Sequence, residues 1–231
     1  MGTRFRAVHC LFEQSGTFRD VFRQLGYMSL DYDIRNDYGK TDIQIDLFAE
    51  IVDGYKGEKS VFDIMSDTDL ILAFFPCTYF SANNMMIFSN TQANRDYTIP
   101  ELITRNQLRA TYYERLLQLF AICQRRQLPL IVENPYHLNY LVNNFPFAPA
   151  IVDTDRRVSG DIFPKRTMYY FLNITPKPFK SYQPTRTEKR VQHIAPGKRR
   201  SEITSTYAYN FVCDRILGLR HPHQIPTLFD K

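Results

Sequence analysis

No stretch of the 231-residue chain holds the roughly 20 consecutive apolar residues that a bilayer-spanning helix needs, so no membrane partner is expected. The first residues carry no apolar h-region of a secretory signal, which points to the cytoplasm. Cysteine is sparse and scattered (Cys10, Cys77, Cys123 and Cys213), and no two form a CxxC pair. That argues against a metal site or a disulfide framework and fits a reducing compartment. There is no internal repeat. Acidic residues are scarce late in the chain: residues 156–231 carry 5 Asp/Glu against 15 Lys/Arg, whereas residues 1–155 carry 19 against 14. The net charge of +5 therefore hides an acidic first part and a strongly basic second one. Such a split suggests a segment that faces a polyanion, with a solvated basic tail as the alternative.

What is present describes one globular domain. Hydrophobic residues make up 44% and aromatics 14%, enough to bury a sizeable core and too much for a disordered chain. Arg6–Phe12 reads as a first strand, followed by a helix from Thr17 to Leu25 with apolar residues at Phe18, Val21, Phe22 and Leu25. Tyr27–Asp31 reads as a second strand, and Asp42–Asp53 as a turn with a short helix. Leu70–Phe75 is an apolar run of strand length stopped by Pro76. A long helix fits Glu101–Gln127, with a stripe at Leu108, Tyr112, Leu116, Leu119 and Ile122, and Leu128–Val132 is a further buried strand. Strands alternating with helices predict βαβ units and an α/β fold on a mostly parallel sheet. After Tyr140 prolines punctuate the chain: residues 1–145 read as a core, and 146–231 as a basic segment. That segment holds a strand at Thr167–Leu172, a basic loop or arm over Lys177–Arg200 and a last helix at Ser205–Gly218.

In open α/β sheets ligands bind beyond the carboxyl ends of the strands. Four polar segments fall there: Glu13–Gly16, Asp31–Asp33, Pro76–Ser81 and Glu133–Pro135. Cys77 follows a strand and a proline, where a thiol can be exposed and become a nucleophile, although a cysteine is more often an inert buried hydrophobe. Glu133 follows a run of apolar residues, and a carboxylate at such a place is either paired or functional. Asn134 can fix its loop by hydrogen bonds to backbone. An acid at the end of the second strand, Asp31 or alternatively Asp33, is placed to accept from ribose hydroxyls. For Asp42 a solvated turn acid is an equal alternative.

Pro76-Cys77-Thr78-Tyr79-Phe80-Ser81 and Glu133-Asn134-Pro135 resemble, in order and context, the PCxxFS and ENP blocks of the DNA cytosine-5 methyltransferases. Leu11, Phe12, Gly16 and Phe18 resemble that family's first motif, D-L-F-x-G-x-G-G-F, with Gln14 and Thr17 where glycines stand. Gly160-Asp161-Ile162-Phe163-Pro164-Lys165-Arg166-Thr167 looks like a segment of short, phage-type members, as does Arg200-Ser201 ahead of the last helix.

The resemblance implies a Rossmann-like S-adenosylmethionine-dependent methyltransferase fold, S-adenosylmethionine as cofactor and DNA as partner, in a phage or restriction-modification setting. It implies Cys77, Glu133 and Arg166 as catalytic residues. It implies Phe12, Gly16, Thr17, Asp31, Asp42 and Pro76 around the cofactor, Asp42 at the adenine amino group. Ser81, Asn134, Pro135 and Lys165 would lie on the substrate. A β-carbon at Gln14 either crowds the cofactor carboxylate or sends the loop along a different path. The family's large target-recognition domain has no room here. Alternative readings are therefore a non-catalytic nucleic-acid-binding protein on this scaffold, or a methyltransferase of nucleotides or single strands.

Overall fold

The computed structural model describes residues 4–80, 88, 97–136, 140–182, 184 and 203–219. Its strands are β1 (Ala7–Leu11), β2 (Met28–Asp33), β3 (Ile43–Gln44), β4 (Leu70–Ala73), β5 (Leu130–Pro135), β6 (Ile151–Asp153) and β7 (Thr167–Leu172). They form one sheet in the order β3-β2-β1-β4-β5-β7-β6. The first five strands run parallel, and β7 is antiparallel to both neighbours, β5 and β6.

Side chains alternate between the two faces of each strand, and both faces are buried. Leu11, Ile71, Leu130, Val132 and Tyr170 point into a core closed by α2 (Leu47–Lys56) and α3 (Ile99–Arg125). Val8, Cys10, Leu72, Ile131 and Tyr169 point into a second core closed by α1 (Thr17–Gln24) and α5 (Ser205–Phe211). A short α4 spans Tyr140–Asn144, and α5 runs on as a π-helical stretch, Val212–Leu217. The expected α/β class with a mostly parallel sheet is therefore what the chain forms. No helix among the described residues is long and apolar enough to cross a membrane.

Local chemistry explains where the elements depart from expectation. The long helix begins two residues early because Thr98 and Glu101 form a reciprocal capping box, Glu101 Oε2 accepting from the Thr98 N–H at 2.7 Å. Its apolar stripe starts at Tyr112 rather than Leu108, which is 40% exposed; Leu116, Leu119, Phe120, Ile122 and Cys123 carry the packing. The region read as a turn and helix at Asp42–Asp53 also holds β3, whose two residues are too few to show a period. The three-residue β6 was not legible for the same reason. The start of the basic arm docks on the π-helical stretch after α5, the Lys177 N–H donating to the Arg215 carbonyl at 2.8 Å. The rest of that arm, residues 183 and 185–202 including Arg200-Ser201, lies outside the described residues.

Candidate active site

The strand order reverses between β1 and β4, the point where an open α/β sheet leaves a crevice. A cavity of about 700 Å³ lies there, within the usual range for a small-molecule site. Segments following β1, β2 and β4 reach it, and so does β5 itself: Glu133-Asn134-Pro135, read as a segment beyond the strand, forms its last residues.

The β1 segment turns sharply. Phe12 sits at φ 59°, a left-handed conformation rarely taken by a bulky residue, and its N–H donates to the Tyr32 carbonyl at 2.8 Å. Its ring meets Phe75 at 5.2 Å and Phe48 at 5.8 Å between centroids, and Phe48 in turn meets Tyr112 at 4.7 Å. These rings form an aromatic wall. Glu13 is buried and accepts from the N–H groups of Phe18 (2.8 Å) and Arg19 (3.2 Å), so its carboxylate occupies the N-terminus of α1. Burial raises its carboxyl to about 7, against the lowering effect of those two N–H groups. Gln14 keeps a negative φ and accepts from the Asp37 N–H at 3.2 Å, tying this segment to the one after β2. The backbone thus follows a path that does not need glycine at position 14. Gly16 does need it: φ is 69°, and a side chain would run into the Arg19 guanidinium.

Arg19 explains why two expected cofactor residues are not on the cavity. Its guanidinium pairs with Asp31 at 2.9 Å and Asp42 at 3.3 Å and also donates to the Lys40 carbonyl. Asp31 and Asp42 each accept the other's backbone N–H, at 2.6 and 3.1 Å, and Arg23 holds Asp42 from outside at 2.8 Å. Both acids tie α1 to the segment after β2, and neither lines the cavity. Asp33, the alternative at the end of β2, does line it. It accepts from the Arg35 N–H at 2.8 Å, and burial raises its carboxyl above the ordinary value. A second acid was missed. Asp46 lines the cavity and caps α2, one oxygen accepting from Phe48 (3.0 Å) and Ala49 (3.4 Å). Its signal in the sequence was an aspartate directly ahead of an apolar helical run. Phe48, Tyr112 and Ile203 were missed as well, whereas Glu13 belongs to a segment expected at the strand ends.

At the other end, Pro76, Cys77 and Thr78 come from the segment after β4, and Glu133 from β5. Cys77 is half-buried, and the Phe80 N–H donates to its carbonyl at 3.0 Å to close a turn. Burial raises its thiol above the ordinary value; the Lys165 ammonium draws it down and the Glu133 carboxylate pushes it up. Glu133 is 7% exposed, and its Oε1 has no hydrogen-bond partner among the described residues. Asn134 does not line the cavity. It is fully buried and donates to the Phe75 carbonyl at 3.1 Å, clasping the end of β5 to the end of β4. Pro135 pairs with Thr167 in the ladder and is also off the cavity. Arg166, expected to be catalytic, is exposed and does not line the cavity; its carbonyl accepts from the Tyr136 N–H at 3.0 Å. Lys165 lines the cavity in its place.

Of the residues expected in the site, the structure brings together Phe12, Thr17, Pro76, Cys77, Glu133 and Lys165. Gly16, Asp31, Asp42, Asn134, Pro135 and Arg166 stand outside it, and Ser81 lies outside the described residues. Cys10, Cys123 and Cys213 are buried. No protein-family model matches the chain, and no curated protein matches it.

Proposed function

We propose that this protein is a DNA cytosine-5 methyltransferase that uses S-adenosylmethionine. The observation that carries this reading is the meeting of Cys77 and Glu133 in one cavity at the crevice of the sheet, with a buried Glu133 oxygen that has no partner among the described residues. A buried carboxylate oxygen without a donor is disfavoured unless a ligand satisfies it. The strand order, doubly wound with an antiparallel seventh strand, is compatible with the methyltransferase fold.

The cavity suits the cofactor. Asp33 and Asp46 offer acceptors for ribose hydroxyls and an adenine amino group, and Phe12, Phe48 and Phe75 offer a wall for a flat ring. S-adenosylmethionine supplies an electrophilic methyl group when bound. Cys77 as thiolate would attack carbon 6 of cytosine, and Glu133 in its acid form would donate its O–H to ring nitrogen 3, passing the proton across as charge develops there; in its carboxylate form it would accept from the exocyclic amino group. Carbon 5 becomes enamine-like and nucleophilic; after its methylation a base removes its proton and Cys77 leaves. A cytosine in a duplex reaches such a cavity only by leaving the stack. The basic residues of the 156–231 segment would hold phosphates.

One observation favours a second reading, a non-catalytic nucleic-acid-binding protein. The Glu13 carboxylate already takes two N–H groups at the α1 N-terminus, where an anionic part of a cofactor would otherwise sit. Calorimetry with S-adenosylmethionine, followed by methyl-transfer assays on deoxycytidine nucleotide, single-stranded and duplex DNA, separates the two. Cofactor binding and label in any cytosine support the enzyme. Absence of cofactor binding overturns it in favour of the second reading.

A further inference from the structure

We infer that Glu13 is a specificity-determining residue: its carboxylate fills the anion site of the crevice, so the cavity takes a nucleoside-type ligand whose charged end is cationic and refuses one that ends in a phosphate. The first N–H groups of the helix after β1 are where an α/β crevice ordinarily receives an anionic group. Here each of them is taken from within the chain. The Thr17 N–H donates to Ser15 Oγ at 3.4 Å, those of Phe18 and Arg19 to the two Glu13 oxygens at 2.8 and 3.2 Å, and that of Asp20 to the Gly16 carbonyl at 2.8 Å. Glu13 is itself buried, and it lines the cavity together with Ser15, Thr17 and Phe18. The Arg19 guanidinium gives an anion no help. It pairs with Asp20 at 2.9 Å, Asp31 at 2.9 Å and Asp42 at 3.3 Å, and it does not line the cavity.

That the cavity is built for a ligand is carried independently by Glu133 at its other end, buried with an Oε1 that has no hydrogen-bond partner among the described residues. The balance of charge sets the sign. Four carboxyl groups line the cavity, those of Glu13, Asp33, Asp46 and Glu133, against two cations, Arg35 and Lys165. Arg35 is exposed and pairs with Asp37 at 3.3 Å, and Lys165 acts on Cys77 at the other end. An anionic end that reaches α1 therefore meets a carboxylate where other crevices offer N–H groups, and it loses its hydration without gaining a donor. An ammonium or sulfonium group meets a partner of opposite charge instead. Of the charges on S-adenosylmethionine, the two cationic ones are thus those that the segment after β1 favours.

The inference rests on the proposed reading of the cavity as a site for an adenosyl compound, and binding tests it without turnover. Calorimetry is run at mildly alkaline pH, where Glu13, with its carboxyl at about 7, carries its charge. It compares S-adenosylmethionine, its decarboxylated form, methylthioadenosine and adenosine monophosphate. The decarboxylated compound should bind the wild type at least as tightly as S-adenosylmethionine. Neutral methylthioadenosine should bind roughly tenfold more weakly than the decarboxylated compound, and adenosine monophosphate roughly tenfold more weakly again. Glu13→Gln keeps an oxygen for the two N–H groups and removes the charge, so the advantage of the cation over methylthioadenosine should shrink. Glu13→Ala frees both N–H groups, and adenosine monophosphate should rise to the affinity of methylthioadenosine or above it. A wild type that binds adenosine monophosphate as tightly as methylthioadenosine would overturn the inference and leave the adenosyl site standing, as would variants that keep the wild-type order and spacing of affinities. The expected order in a protein that transfers no methyl group would refute the methyltransferase reading and leave the role of Glu13 standing. Binding of none of the four compounds would overturn both.

Discussion

Cys77 and Glu133 have different stakes in the proposed reaction. Cys77→Ala removes the nucleophile without disturbing Asp33, Asp46 or the aromatic wall, so methyl transfer should vanish while calorimetry still shows S-adenosylmethionine binding. Glu133→Gln keeps the shape and loses the acid, and product formation should fall about 10²–10⁴-fold. Glu13 has a different signature. Its carboxyl titrates at about 7 in the folded chain, above its ordinary 4.5. The folded state thus holds the proton more tightly than the unfolded state. The stability this contributes is complete below pH 4.5 and is lost as pH rises through about 7. Glu13→Gln should remove that dependence. The difference in denaturant stability between wild type and variant should change by up to about 3 kcal/mol between acid and mildly alkaline pH. A constant difference across that range would show that Glu13 does not titrate there.

Among the elements, the parallel ladder of β4 and β5 is extended towards nucleophile and acid by the Asn134 clasp. Asn134→Ala leaves the Phe75 carbonyl buried without its donor, which costs about 1–3 kcal/mol and frees the ends of β4 and β5 to separate. Chemical denaturation should show the loss, and turnover should fall further than stability alone accounts for. Elements were legible in the sequence where period and length were ample: β1, α1, β4, α3 and β7 fall within a few residues of expectation. β3 and β6 are too short to carry a period, and their pairing is decided by neighbours distant in sequence. The same limit shaped the reading of the site. Cys77 and Glu133 follow buried strands and could be placed directly. Asp31 could not be told from Asp33, because the two lie i and i+2 on β2 and share a face; only position along the strand separates them, Asp31 meeting Arg19 and Asp33, at the strand's end, reaching the cavity. Lys165 and Arg166 are adjacent basic residues, and only the register with β5 separates them.

At the scale of the molecule, β5 is completed by a strand that arrives late in the chain. β7 seals its open edge, β6 lies beyond it at the margin of the sheet, and α5 packs on one face. The ladder between β5 and β7 thus places strands from the 1–145 core and the 146–231 segment side by side in one sheet. A fragment of residues 1–145 leaves β5 as an uncovered edge and bares the face that α5 covers, so it should show no cooperative thermal transition and should associate on size-exclusion chromatography. A monomeric, cooperatively melting fragment would contradict that. The antiparallel insertion of β7 also orders events during synthesis. Glu133 is made early, but nothing fixes its strand on the far side until residues 167–172 have left the ribosome, and Lys165 comes with them. The thiol, the acid and the cation therefore come together only after most of the chain has been translated, and a nascent chain interrupted before β7 carries a nucleophile without its setting.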